Sequence, residues 1–143
     1  MIGLPDVNVL LALAWRHHAH HDAAHDWFAR ESAAGWATCL LTQTGFVRLS
    51  LNPQVVGVSL DSQAALNLLQ SLVAHPHHHY EEAAPSLTTT AFGELVSNIT
   101  GYRQVPDATL LYLAHVHDMK LVTFDRPIAA LCPWPVHLDV LTT

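Results

Sequence analysis

The chain has 143 residues, half of them hydrophobic and 13% charged, with a formal net charge of -6. That length suits one compact domain spanning 1–143, and the composition excludes global disorder, collagen, a coiled coil and a solenoid. The acidic balance argues against broad, non-specific nucleic-acid binding, which needs basic surface to displace counterions, but leaves recognition of one structured RNA open.

No Lys or Arg precedes Arg16, and Asp6 and Asn8 interrupt the first apolar stretch, a pattern unlike a signal peptide. No run approaches the ~18 to 20 apolar residues of a membrane span. Cys39 and Cys132 lie in apolar surroundings without CxxC spacing, so they read as free thiols of a cytoplasmic protein.

Residues 2–6 (IGLPD) predict a short buried strand, with Pro5 marking its end and an acid just beyond. Helical spacing begins at Val7 with Val9, Leu10, Leu13 and Ala14. A second helix carries Ala23, Ala24, Trp27 and Phe28 on one face and ends near Gly35. Residues 36–41 (WATCLL) predict another strand. Thr42 then offers an N-cap for a helix that Asn52-Pro53 stops. Asp61-Ser62 opens a helix through Val73. The His-rich stretch between Pro76 and Pro85 fits either a loop or an edge strand. Leu87 to Ile99 reads as helix, Asp107 opens another, and 121–125 (LVTFD) and 136–141 (VHLDVL) read as strands. Alternating helices and apolar strands imply an α/β protein with a mainly parallel sheet covered on both faces.

Asp6 and Asp125 each follow an apolar strand, and Asp107 starts a helix after a turn. In open α/β sheets that edge is where ligands sit. Gathered carboxylates suit a hard divalent cation such as Mg²⁺ or Mn²⁺, which keeps several waters and accepts one or two direct carboxylates. Each acid also has an ordinary structural reading, Asp107 as an N-cap and Asp125 as a turn residue. Asp6 has less of one, because an acid ending a buried strand meets a desolvation cost unless paired or bound.

Four segments carry a family resemblance: LPDVNVLLAL at the start, TQTGFVRL at 42–49, VPDATLLYLA at 105–114 and LVTFDR at 121–126. Their ordered set resembles the PIN domain, and more narrowly the VapC toxins of bacterial toxin–antitoxin pairs. The resemblance implies a three-layer α/β/α sandwich, Mg²⁺- or Mn²⁺-dependent endoribonuclease activity on cellular RNA such as tRNA, a homodimer, and inhibition by a VapB-type antitoxin. By the same resemblance, Asp6, Asp107 and Asp125 match the acidic positions. Asn8 matches the polar residue after the first acid, and Thr123 the Ser/Thr of a T-x-D signature, orienting Asp125 or a water. The family's further acid, at the start of the helix after the second strand, is Gln43 here, which favours a weaker pocket or an interaction module without turnover. Glu94 is a candidate substitute. Arg48 and Arg126, close to these segments, are candidates for contact with RNA.

Twelve histidines are unusual for this length. His17, His21 and His25 repeat at helical i, i+4 spacing, and the default expectation is a solvated polar face, with a zinc or nickel site as the alternative. Trp15, Trp27, Phe28 and Trp36 fit core packing or a protein interface better than base stacking.

Overall fold

A computed structural model of the chain, which describes residues 1–142, shows an α/β/α sandwich around a five-stranded sheet. The strands are β1 (Gly3–Pro5), β2 (Trp36–Cys39), β3 (His78–Glu81), β4 (Lys120–Thr123) and β5 (Leu138–Val140), in the order β3-β2-β1-β4-β5, and every pairing is parallel. The helices are α1 (Val7–Ala14), α2 (His21–Glu31), α3 (Leu40–Ser50), α4 (Pro53–Val56), α5 (Ser62–Val73), α6 (Thr90–Val96) and α7 (Val105–Val116). Among the described residues no helix is long and apolar enough to cross a membrane.

Side chains alternate across a strand, so each strand feeds two cores. Trp36 and Val122 pack with α1, α2, α3 and α5 through Leu10, Trp27, Phe46 and Leu69. Ala37, Cys39 and Leu121 pack on the other face with α6 and α7 through Phe92, Leu95 and Leu111. Trp27 and Trp36 are buried, in keeping with core aromatics, and both cysteines are free.

Several boundaries differ from the sequence expectation, each for a local reason. α3 begins at Leu40, so Thr42 is its third residue and does not cap it. Thr42 Oγ1 instead accepts from the Cys39 amide, the reciprocal half of a capping box. Asn52-Pro53 ends one helix and starts the next, because Asn52 Oδ1 caps α4 by accepting from the Gln54 amide. The helix expected from Leu87 starts only at Thr90. Ser86 and Thr88 hydrogen-bond each other, Ser86 Oγ accepts from the Thr88 amide, and Thr89 caps α6. Such short hydroxyl side chains compete with helical backbone bonds. The His-rich stretch forms edge strand β3, paired to β2 from His78 to Glu81.

His17 and His25 are exposed, as a solvated face would be, but several histidines are also tied into the fold by hydrogen bonds. His21 Nδ1 donates to the Ala12 carbonyl at 2.7 Å and His25 Nε2 to the Leu13 carbonyl at 3.0 Å, closing the last turn of α1. His137 is buried and donates to the Met119 carbonyl, and His117 Nε2 to that of Ala83. The i, i+4 spacing of His21 and His25 thus serves a helix terminus, whose free carbonyls need donors.

Gly45 lets α3 approach α1 closely, since a Cβ there would stand 2.5 Å from Cγ2 of Val7. Val7 is β-branched and stiff, so it cannot swing clear. Gly45→Ala should therefore lower stability by up to about 2 kcal/mol, an overpacking cost of ~1–3 less the ~1 that Ala gains in a helix interior. Urea unfolding of the two proteins checks this, and the displaced Val7 would disturb Asp6 beside it.

Candidate active site

The chain leaves β1 for β2 and β3 on one side, then returns to β4 and β5 on the other. Strand order therefore reverses between β1 and β4, which pair in register from Gly3 with Lys120 to Pro5 with Val122. Helices departing to opposite faces leave a crevice beyond the carboxyl ends of two such strands. Asp6 lies just past β1 as the N-cap of α1, Asp125 lies just past β4, and Asp107 enters from the first turn of α7. Asp107 is not the cap of that helix. α7 begins at Val105, with Pro106 in its first turn, where the missing N–H costs nothing.

Asp6 is buried and firmly held. Its amide donates to the Val122 carbonyl, Oδ1 accepts from the Val7 amide at 2.7 Å, and Oδ2 accepts from the Thr123 hydroxyl at 2.9 Å. Thr123 is itself buried, and its one proton and two lone pairs are all used. It donates to Asp6 and accepts from Asn8 Nδ2 at 3.2 Å and from the Asp125 amide at 3.1 Å. Asn8 Oδ1 in turn accepts from the Phe124 amide at 3.3 Å. Thr123 thus orients the Asp6 carboxylate directly, and reaches Asp125 only through its backbone. A hydrogen bond to a charged group contributes roughly 1.5–3 kcal/mol, enough to fix one rotamer.

Electrostatics couples the three acids. Burial pushes the Asp6 carboxyl above its ordinary value, opposed by the hydrogen bonds from Thr123 and Val7 and helped by the charge of Asp125. Asp107 is pushed up to about 6, by burial first and then by the charges of Asp6 and Asp125. Among the described residues no Lys, Arg or His forms an ion pair with any of the three. Like charges crowded without a cation are unfavourable, and a bound cation relieves them.

Among the described residues no group of three or more His, Cys, Asp or Glu side chains, the three aspartates included, is gathered closely enough to hold a metal ion by direct ligation alone. The donor chemistry here is carboxylate oxygen, which suits Mg²⁺ or Mn²⁺ with several waters retained rather than a dehydrated thiolate–imidazole site. The coupled, unpaired acids fit such a hydrated ion.

None of the remaining candidate residues forms a hydrogen bond or ion pair with the three acids among the described residues. Gln43 Nε2 donates to Thr38 Oγ1 at 3.0 Å, and the same oxygen lies 2.8 Å from His78 Nε2. Glu94 does not join the acids. It is exposed on α6 and accepts from Trp134 Nε1, whose ring stacks on His115, so it is no substitute for the missing carboxylate. Arg48 is exposed in the last turn of α3, and Arg126 is exposed directly after Asp125. Sequence reasoning missed His20, whose ring stacks on Phe124 beside Asp125, with centroids 4.5 Å apart. No spacing rule links two residues so distant in the chain.

The PIN domain family model matches residues 4–132. Ribonuclease VapC38 of Mycobacterium tuberculosis is 42% identical over 130 residues, covering 91% of this chain and 89% of that protein. Ribonuclease VapC39 of the same species is 37% identical over 129 residues, covering 90% and 92%. The crystal structure of PAE2754 from Pyrobaculum aerophilum superposes with a TM-score of 0.61 at 24% identity, covering 98% of this chain and 84% of that one, a likeness of fold. The chain belongs to the PIN domain family, as a VapC-type member.

Proposed function

We propose that this chain, as a single PIN-like domain over 1–143, is a metal-dependent endoribonuclease toxin that hydrolyses cellular RNA in the cytoplasm. The observation that carries the reading is the set of three coupled acids at the strand reversal, with no basic partner among the described residues. The names of the relatives, ribonucleases throughout those compared, support RNA as the substrate class.

Asp6, Asp107 and Asp125 would hold Mg²⁺ or Mn²⁺. When bound, such an ion polarises a phosphoryl oxygen and lowers the pKa of water, so that hydroxide is available near neutral pH. Thr123 and Asn8 hold the Asp6 carboxylate in one orientation, so little ordering remains to be done when substrate arrives. Arg126 and Arg48 offer exposed guanidinium groups for the RNA backbone. A VapB-type antitoxin and a homodimer complete the proposal, on the family relationship.

Protein freed of any antitoxin should cut structured RNA, tRNA included, with Mg²⁺ or Mn²⁺ and stop in EDTA. Equal cutting in EDTA, or none under any divalent ion, would sink the reading.

A second reading, a PIN-fold interaction module with little turnover, is favoured by one observation. The Gln43 amide stands where the family has an acid, and it is engaged with Thr38. Gln43→Glu adds one negative charge to the region and should raise affinity for Mn²⁺ by roughly 5- to 10-fold, on the order of 1 kcal/mol for one partly screened charge pair. Cleavage that appears only in Gln43→Glu would establish the module; strong wild-type cleavage dismisses it.

A further inference from the structure

His20, Phe124, Asp125, Arg126, Pro127 and Leu141 line one open cleft, so the acid cluster continues directly into an aromatic and cationic surface. The ring of His20 lies on Phe124 with centroids 4.5 Å apart and planes 26° from parallel. Its role differs from that of three other histidines, the half-buried His21, the exposed His25 and the buried His137. His21, His25 and His137 each donate to a backbone carbonyl, whereas the buried Nδ1 of His20 has no partner. The His20 side chain is therefore placed by stacking and by the backbone, whose amide donates to His18 Nδ1 at 3.1 Å. Phe124 is equally well fixed, because its amide donates to Asn8 Oδ1 within the acid network. Arg126 is exposed at the rim, free of any ion pair among the described residues.

We infer that this cleft is a nucleotide subsite, in which the His20–Phe124 stack takes a base of single-stranded RNA next to the scissile phosphate and Arg126 takes the adjoining phosphate. Stacking on a flat, pre-placed ring tolerates any base, while a guanidinium pairs with phosphate through two parallel hydrogen bonds. Its position beside Asp125 would set which phosphodiester reaches the acids. The inference rests on the ribonuclease reading above, and its test separates the two.

The probes are a short fluorescein-labelled 2′-O-methyl oligoadenylate and its abasic counterpart, with binding followed by anisotropy in Mg²⁺. Wild type should bind the oligoadenylate about 10-fold more tightly than the abasic strand, a typical gain for one stacked base. His20→Ala should bind both equally, and His20→Tyr should restore the preference, which a merely structural role would not do. Arg126→Ala should weaken both ligands and reduce the salt slope by about one phosphate contact. A base preference that persists in His20→Ala, or is absent from wild type, overturns the subsite. RNA cleavage by wild type is scored separately, so a failed subsite beside intact cleavage leaves the ribonuclease reading standing, and absent cleavage removes that reading itself.

Discussion

Asp6→Asn should lose RNA cleavage by on the order of 10³-fold or more while folding normally. The expected loss follows from the several kcal/mol that a divalent ion supplies as a Lewis acid, each 1.36 kcal/mol being tenfold in rate. The substitution keeps the shape of the side chain, and the amide oxygen can still accept from Thr123 or Val7, though not from both, so a modest loss of stability accompanies the loss of charge. What it removes is negative charge at the most buried of the three acids. Single-turnover cleavage and thermal unfolding, measured on the same preparation, separate lost chemistry from lost fold. Retained cleavage in a folded variant would take Asp6 out of the site.

Asp107→Asn carries the second large effect, and it runs in opposite directions for stability and activity. In the native chain this carboxyl is pushed up to about 6 from an ordinary 3.8, so the folded protein holds the proton more tightly than the unfolded chain does. Its contribution to stability is therefore fully present below pH ~3.8 and is lost as pH rises through about 6. Without a divalent ion at pH 7.5, the neutral amide should be more stable than the carboxylate by on the order of 1 kcal/mol, a value discounted for solvent screening of a half-buried group. For a chain of this size that raises Tm by roughly 2 to 6 °C. The gap should close towards pH 4, where wild type is neutral as well. Under the proposed site, added Mg²⁺ should stabilise wild type at pH 7.5 and leave the variant nearly unmoved, because an ion held by the folded acids favours the folded state. Cleavage by the variant should fall despite its greater stability. Thermal melts in EDTA and in Mg²⁺, at pH 4 and 7.5, decide the point. A variant less stable than wild type in EDTA at pH 7.5 would contradict the electrostatic account.

These two expected effects share a cause: the site stores repulsion that the proposed function requires and stability does not. Locally costly groups are retained where chemistry needs them and are offset by the surrounding fold. Here the offset is visible in Thr123, whose hydroxyl proton is committed to Asp6, and in the Val7 amide at the start of α1.

Much of this arrangement was legible in the residues. Apolar strands each ending near an acid place Asp6 and Asp125 at one sheet edge, and the parallel α/β architecture follows from alternation of strand and helix. Asn8 and Thr123 are marked by the family resemblance, although Thr123 serves Asp6 more directly than Asp125. What was not legible depends on contact through space. Asp107 reads as an N-cap because Asp commonly caps helices, yet Val105 and Pro106 form the first turn ahead of it. The 78–81 segment becomes a strand only because β2 offers an edge to pair with. His21 and His25 look like a solvated pair until the carbonyls of α1 meet them. Gln43 was legible as a departure from the family, but its attachment to Thr38 was not. His20 on Phe124 had no signature at all.

The central claim, that Asp6, Asp107 and Asp125 act together as one divalent-ion site, is tested most directly by titrating the protein with Mn²⁺ and following the free ion by electron paramagnetic resonance. Wild type should deplete free Mn²⁺ at a site that Mg²⁺ competes for, and each single Asp→Asn substitution should weaken that binding. Wild-type binding that survives replacement of all three aspartates, or no binding by folded wild type, would contradict it.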